Sequence, residues 1–463
     1  MTSHIAIIGG GITGLAAALF LARQGHRITL LEREARPLSP DLDADFLHWH
    51  RPATPQALQP HLLRAPIRTV LRAAAPDVYA TLLGLGATEH PDLAAFGPSD
   101  HPGDEDLVTL RARRILLESA LTRAVQAEPS ITHRPGTTAT GLLYFPGPAP
   151  HVMGVHTPTG DFRADLVLDA AGRRSPIHRW LDAIGARPAV TDVTRTGIAY
   201  FCRWYRSTDA TTPDPPRAGC LTPYTAFGIF PADNDYFALA FTVAVNDPTR
   251  TALRDPATYD RAARLFPGGA AWLAQPHQPV TDVHAMAGLD NRWTALHDDK
   301  GPTVTGLLSI GDSAIHTNPT LGQGISLALL SADWLAHQDP TSPTLATDYH
   351  RWRLDTLRPW FDVQTTIDRD RRAELQASLK GLPPAPPPPD ALNRAALGPC
   401  SADDLTVARA RAQVAQMVRT PVQAYATPEI QSRVTAWLRA NPEFTGPPPG
   451  PTRELWEKTL NPN

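Results

Sequence analysis

Apolar and polar residues near the start of the chain follow two rhythms. HIAII at 4–8 and RITLLE at 27–32 are short apolar runs, and the stretch ITGLAAALFLAR between them is helix-like. Short apolar runs bounded by turn residues read as buried strands, so the pattern predicts strand, tight turn, helix and strand. Residues 107–125 begin like a strand and pass into a helical period, with Leu117 and Leu121 on one face and Arg113 and Arg114 at the helix start. ADLVLDA at 164–170 predicts a buried strand ending in an AGRRSP turn. VTGLLSI at 304–310 predicts another, which runs into GDSAIHTNPTLGQGISLALLSADWL.

The middle of the chain changes period. TGIAYFCRWYR at 196–206 and YTAFGIFPADNDYFALAFTVAV at 224–245 are rich in β-formers, and the ADND between apolar alternations predicts a hairpin. Residues 41–63 predict an aromatic, proline-broken loop, followed by amphipathic helices to about residue 90. PPAPPPP at 383–389 predicts a stiff linker, and 402–440 a helical C-terminal cap. No internal repeat is present.

The first turn carries chemistry. Gly9, Gly11 and Gly14 form G-x-G-x-x-G between a strand and a helix, and Glu32 falls at the end of the next strand. The first glycine permits the turn, the second lets backbone amides approach a pyrophosphate, and the third lets helix pack on strand. Unpaired N–H groups and the positive helix end then face the phosphates, while the acid can accept hydrogen bonds from ribose hydroxyls. The pattern predicts a dinucleotide site, with Arg33 beside Glu32 counted in the cofactor set.

Composition narrows the partners. A formal net charge of -3 with 42% hydrophobic residues gives no electrostatic reason to bind nucleic acid. The few lysines (Lys300, Lys380, Lys458), 48 prolines and many alanines read as GC-rich coding bias. Cys202, Cys220 and Cys400 lack paired or metal-ligand spacing, so a reduced, cytoplasmic protein is expected. The opening apolar stretch lacks a charged leader, and no run reaches the roughly 20 apolar residues of a membrane span. His48 and His50 form the most suggestive close histidine pair, read as ordinary histidines rather than metal ligands; no metal is expected.

Three separated segments complete a known scheme. The glycine triplet with Glu32, the D-x-x-G of Asp169 to Gly172, and Gly311-Asp312 followed by P-x-x-G-x-G from Pro319 to Gly324 resemble the fingerprints of FAD monooxygenases of the para-hydroxybenzoate hydroxylase fold. With RxxL at Arg114 to Leu117, these matches span residues 5 to about 335. RPATPQALQPHLL (51–63) and DLVLDAAGRRSPIHRWLDAIG (165–185) are similar to stretches of the flavin epoxidases of polyether antibiotic pathways. Ala53 departs from the usual glycine, and Ile315 stands where most members carry histidine, with His316 one place later.

The resemblance implies an α/β architecture: a Rossmann-like FAD-binding domain from 1–60, 100–185 and 300–345, and an inserted antiparallel β-sheet substrate domain from 61–99 and 186–299. A C-terminal helical extension would cover 346–463. It implies FAD as cofactor and NADPH or NADH as reductant, with a separate flavin reductase as an open option. O2 would add at flavin C4a, and the hydroperoxide would pass one oxygen atom to a small-molecule substrate. Asp312 can reach a ribityl hydroxyl, the amides near Gly322 to Gly324 can face the flavin's pyrimidine edge, and the Pro319 to Gly322 loop would flank the site of oxygen addition. Arg114 can offer its fork to a phosphate or stand as a plain helix arginine, and Asp169 can contact cofactor or only form a turn. No protein base stands out. Tyr200, Trp204, Tyr224 and Phe230 could line the pocket or be plain core.

Other readings stay open. A flavin halogenase would need a lysine and a W-x-W-x-I-P motif, and neither is found before Lys300. A flavin reductase or dehydrogenase that makes no use of oxygen, and a flavin-binding pathway protein without redox turnover, remain alternatives.

Overall fold

Five parallel strands form the centre of the computed structural model, in the order Leu307–Ser309, Leu166–Asp169, His4–Ile8, Arg27–Glu32, Ile131–Pro135. The structure describes residues 2–461 apart from 50, 52, 53, 210, 212 and 384, so His50 and Ala53 lie outside the described residues. A parallel sheet covered on both faces needs apolar side chains at successive positions, which is why these strands read as unbroken apolar runs. Ile5 and Ile7 enter one core with the helices Ile12–Arg23, Arg114–Ala127 and Gly324–Ala336. Ala6 and Ile8 enter another with the helix Ile177–Ala183 and a small antiparallel sheet of Gly141–Phe145, His151–Thr157 and Gly160–Arg163.

The second body is antiparallel. Its strands run Cys220–Leu221, Thr225–Pro231, Tyr236–Ala244, Ile198–Ser207 and His277–Pro279, with His284–Ala287 also on Ile198–Ser207. The predicted hairpin at ADND is present, and Asn234 and Asp235 take the positive φ that tight hairpin turns favour. One face of this sheet packs on the helices Pro256–Arg264, Pro267–Ala274 and Arg453–Leu460, where Trp456 is completely buried. Strands Val190–Thr194, Asn291–Ala295 and Ile315–His316 form a third antiparallel sheet. The helices Leu345–Trp352 and Arg358–Leu379 follow, joined by a π-helical turn at Arg353–Leu357. Beyond the proline run the helices Ala391–Asp403, Leu405–Ala415, Pro421–Tyr425 and Pro428–Ala440 share a core of their own.

Two expectations change. Residues 41–63 are not all loop: Asp41 accepts a hydrogen bond from the Ala44 amide at 2.9 Å and caps a helix at Leu42–His48. The helical stretch before residue 90 ends at Gly84 and gives way to a strand, Thr88–Pro91, paired with Val108–Arg111. Among the described residues no helix is long and apolar enough to cross a membrane.

One buried ion pair joins the two bodies. Arg113, just before the helix Arg114–Ala127, donates to Asp233 through Nε (3.0 Å) and Nη2 (2.6 Å), and to Asp43 at 2.7 Å. Asp233 lies in the hairpin turn, and Arg113 also sits 3.8 Å from the ring centre of Tyr236. Removing the cation would strand a carboxylate at 0% exposure, a loss of about 3–5 kcal/mol. Arg113→Ala should therefore lose stability of that order in urea denaturation; a wild-type transition would show that other contacts hold the junction.

Candidate functional site

Each strand of the parallel sheet sends its carboxyl end to the same place. A cavity of about 540 Å³ is lined by Gly9 and Gly11 after the His4–Ile8 strand, Glu32 and Arg33 at the end of Arg27–Glu32, Pro135 at the end of Ile131–Pro135, and Gly172 and Asp312 beyond the other two. Ligands of open parallel α/β sheets bind at this edge. Arg114, Pro319, Gly322 and Gly324 also line the cavity. The structure thus brings residues from three distant segments to one wall.

The three glycines divide by what they face. A Cβ on Gly14 would lie 1.8 Å from the Gly9 carbonyl oxygen, and one on Gly9 would lie 2.5 Å from that of Ala170. Those two glycines serve protein packing. A Cβ on Gly11 would meet nothing within 4 Å, so its free side is the cavity. Gly11 is also the N-cap of Ile12–Arg23, with no side chain capping it and no acid in the first turn. The first amides of that helix are open to an anion.

Glu32 accepts hydrogen bonds from the amides of Gly10 (2.6 Å) and Glu34 (2.7 Å). Arg114 lines the cavity, but its Nε and Nη2 are turned to Glu118 at 2.9 and 2.8 Å. Glu118 also holds Arg51, which lies 3.8 Å from Glu34 and stacks 4.5 Å from the Trp49 ring centre. Burial opposes the charge on Glu118, yet Arg114 and Arg51 hold its carboxyl down to about 2. Gly322 has φ 61 and fits against Leu62, whose Cβ would be 2.8 Å from a side chain there.

Gly14, Asp169 and Gly311 stand behind the wall rather than in it. Asp169 is completely buried and accepts from the Ala171 amide (3.1 Å) and the hydroxyls of Ser175 (2.7 Å), Ser309 (3.2 Å) and Ser313 (3.2 Å). It ties together the ends of two neighbouring strands and the turns after them. Gly311, at φ 59, passes Thr13 so closely that a Cβ would come within 2.4 Å of its hydroxyl.

The aromatic residues considered for the pocket do not line this cavity. Tyr200 and Tyr224 belong to hydrophobic cores, and Phe230 packs against another. Trp204 donates through Nε1 to the Leu58 carbonyl at 2.8 Å, so a chain segment lies over that part of the sheet. That segment lines the cavity instead, through Thr54, Gln56, Gln59, Pro60, His61 and Leu62. His316 lines the cavity too, with Nδ1 2.8 Å from the Asp290 carbonyl.

Buried polar atoms on the wall test what the cavity suits. Glu34 Oε1, Arg51 Nε, Gln59 Oε1, His61 Nδ1, His133 Nε2 and Trp180 Nε1 have no hydrogen-bond partner, and their residues all line it. Leaving such a group unpaired costs about 1–3 kcal/mol, so this wall suits a large polar ligand with donors and acceptors along its length. FAD fits that description. Burial and nearby Arg114 push His61 down to about 3, which keeps its imidazole neutral at pH 7. Arg51, Gln59 and His61 lie in the 51–63 stretch that resembles the flavin epoxidases, though none was singled out as a site residue; Glu118 was missed, although it stands four residues after Arg114 on one helix face. Among the described residues no cluster of three or more potential ligands could hold a metal.

The comparisons agree with this geometry. Residues 4–40 match the family model of FAD dependent oxidoreductases. Protein Rv3254 of Mycobacterium tuberculosis is 26% identical over 391 residues, 77% of this chain and 78% of that protein. PqsL, a probable FAD-dependent monooxygenase from Pseudomonas aeruginosa, superposes with a TM-score of 0.60 at 16% identity, covering 82% of this chain and 100% of that one. The p-nitrophenol 4-monooxygenase PnpA from Pseudomonas putida gives 0.60 at 16% identity, over 89% and 96%. The fold is therefore the mixed α/β fold of FAD-dependent monooxygenases.

Two outcomes test the wall. Gly11→Val should fold normally yet weaken FAD binding by at least about tenfold, ~1.4 kcal/mol, whereas Gly14→Ala should lower stability by about 3 kcal/mol or more; titration and urea denaturation read both. Because the Glu118 carboxyl is held below its ordinary 4.5, its contribution is present above that pH and lost as pH falls toward about 2. Stability of the wild type should fall through that window, and Glu118→Gln should flatten the profile.

Proposed function

We propose that the protein is an FAD-dependent monooxygenase that places one oxygen atom from O2 into an apolar or aromatic small molecule, by epoxidation or hydroxylation, in secondary-metabolite biosynthesis. The observation that carries this reading is the single cavity shared by the Gly9–Gly14 turn, Glu32, Asp312 and the Pro319–Gly324 segment, with unpartnered polar atoms along it. When bound, FAD supplies electron transfer from NADH or NADPH, directly or through a flavin reductase, and the activation of O2.

The chain's own residues bind, orient and shield. The amides after Gly11 would hold the pyrophosphate, Glu32 the ribose hydroxyls and Asp312 the ribityl chain, with Arg33 at the same wall. The amides at the start of Gly324–Ala336 would stabilise negative charge that collects on the pyrimidine edge during reduction. Asp169 contributes from behind the wall by fixing the turn at Ala170 to Gly172. Leu62, Met286 and Leu289 supply apolar wall, and neutral His61 with Gln59 offers hydrogen bonds without a charge. An electron-rich alkene would need no protein base.

We assign 1–60, 100–185 and 300–345 to the cofactor, 61–99 and 186–299 to the substrate, and 346–463 to a helical extension. The resemblance of segments 51–63 and 165–185 to the flavin epoxidases of polyether pathways supports epoxidation within this class. Its cysteines are free, in keeping with the cytoplasm.

Comparative mass spectrometry of metabolites from the producing strain and a strain lacking the gene, grown under 18O2, tests the reading. The deleted strain should accumulate a compound lacking one labelled oxygen atom. A retained alkene would indicate epoxidation, and an unhydroxylated ring would indicate hydroxylation. A difference of two hydrogens, or of a halogen, would overturn oxygen transfer.

A further inference from the structure

The loop at Thr317 to Gly322 brings Pro319 and Gly322 to the cavity wall; Gly322 fits against the wall residue Leu62 and Arg64 donates to the Leu321 carbonyl, but most of the loop's polar contacts lie outside the wall. Its 3-10 turn at Pro319–Leu321 ends in a left-handed glycine and has no strand partner. Three buried side chains, Asn291, Gln364 and Asp368, bracket it together with the loop's own Asn318. Asn318 donates from its backbone N–H to Asn291 Oδ1 (2.6 Å) and from Nδ2 to Asp368 Oδ1 (2.8 Å). Asn291 Nδ2 donates to Asp368 Oδ2 at 2.7 Å. Gln364 Nε2 donates to Asp368 Oδ2 and to the Thr320 hydroxyl, each at 2.9 Å.

Asn291, Asn318 and Gln364 are at 0% exposure and Asp368 at 4%. Asp368 receives three amide N–H groups, and among the described residues no cation pairs with it. Burying a carboxylate is costly unless it is hydrogen-bonded, and linked buried hydrogen bonds rigidify the segments they join; Gln364 Oε1 is left without a partner in this set. Both Gln364 and Asp368 lie on Arg358–Leu379, a helix that contributes no residue to the cavity wall. It acts on that wall through the loop, and through Leu375 and Leu379, which share a hydrophobic cluster with the wall residues Leu289 and Met286. An irregular segment with one fixed conformation can hold a ligand group in register, whereas a loosened one cannot.

We propose that Asp368 and Gln364 are positioning residues that hold the Thr317 to Gly322 loop in the form that receives the flavin-ring end of the cofactor, leaving the adenosine end to the Gly9–Gly14 turn and Glu32. The inference rests on the cofactor reading given above, and it makes the C-terminal helical region part of the site.

The two ends separate experimentally, because ADP carries only the adenosine half. Dissociation constants for FAD and for ADP are measured on the full-length wild type, Gln364→Leu, Asp368→Asn and the double variant N291D/D368N, with flavin circular dichroism and melting temperature recorded alongside. In D368N an amide faces the Asn318, Asn291 and Gln364 donors. In the double variant carboxylate and amide exchange places, and the Gln364 amide can turn its unpartnered Oε1 to the amide that D368N introduces.

The expected result is wild-type ADP affinity in Q364L and D368N, with FAD at least about tenfold weaker, an altered flavin dichroism signal, and recovery in N291D/D368N. The proposal is overturned if both single variants bind FAD as the wild type does, or if FAD and ADP affinities fall together with the melting temperature. A wild type that binds neither molecule would remove the cofactor reading, and the proposal with it.

Discussion

The carbonyl oxygen of Gly9 lies so close beneath Gly14 that any side chain on Gly14 would collide with it, and the rest of the site follows from that contact. It lets the helix Ile12–Arg23 start directly above the central strand of the parallel sheet, with its first amides facing the cavity. The same turn is pressed from the other side by the Ala170 carbonyl, and Thr13 is met by Gly311. Segments far apart in sequence therefore converge on one turn, and a ligand lying along the strand ends would touch them all. Close packing of this kind tolerates almost no added volume.

Buried carboxylates behind the wall and in it keep these segments in place by different means. Asp169 is satisfied by three hydroxyls and an amide, and Asp368 by three side-chain amides. Glu118 is instead balanced by two arginines that also face the cavity. A network of neutral donors holds a carboxylate without presenting a cation to the ligand, whereas the Glu118 cluster leaves guanidinium groups beside it. Near Arg51 and Arg114 the wall can thus take an anionic group, while His61 is kept neutral in the same neighbourhood. The Arg113 pair with Asp233 then fixes the antiparallel body against this one.

Much of this was legible from local sequence. The apolar runs at 4–8, 27–32, 164–170 and 304–310 mark four of the five parallel strands, and ADND marks the hairpin, because these features depend on neighbours a few residues away. The short helix at Leu42–His48 was hidden by the prolines around it, although Asp41 is an ordinary cap. Asp169 and Asp312 look alike in sequence, each closing a strand before a glycine-rich turn. Only the serines at 175, 309 and 313 send the first into the interior. Alternating aromatics said that a face of the antiparallel sheet was buried, but not that residues 54–62 would lie between that sheet and the cavity. Glu118 and Asp368 each have one partner four residues away, Arg114 and Gln364, but Arg51, Asn291 and Asn318 reach them from dozens of residues off, which no periodicity reports.

The central claim is that one cofactor lies along the ends of the parallel strands. A crystal structure of the protein grown with FAD tests it most directly. The account predicts the pyrophosphate at the amides after Gly11, the adenosine ribose at Glu32, the ribityl chain at Asp312 and the flavin ring beside the Pro319 to Gly322 loop. Density for FAD elsewhere, or an FAD-saturated crystal whose cavity contains only water, would contradict it.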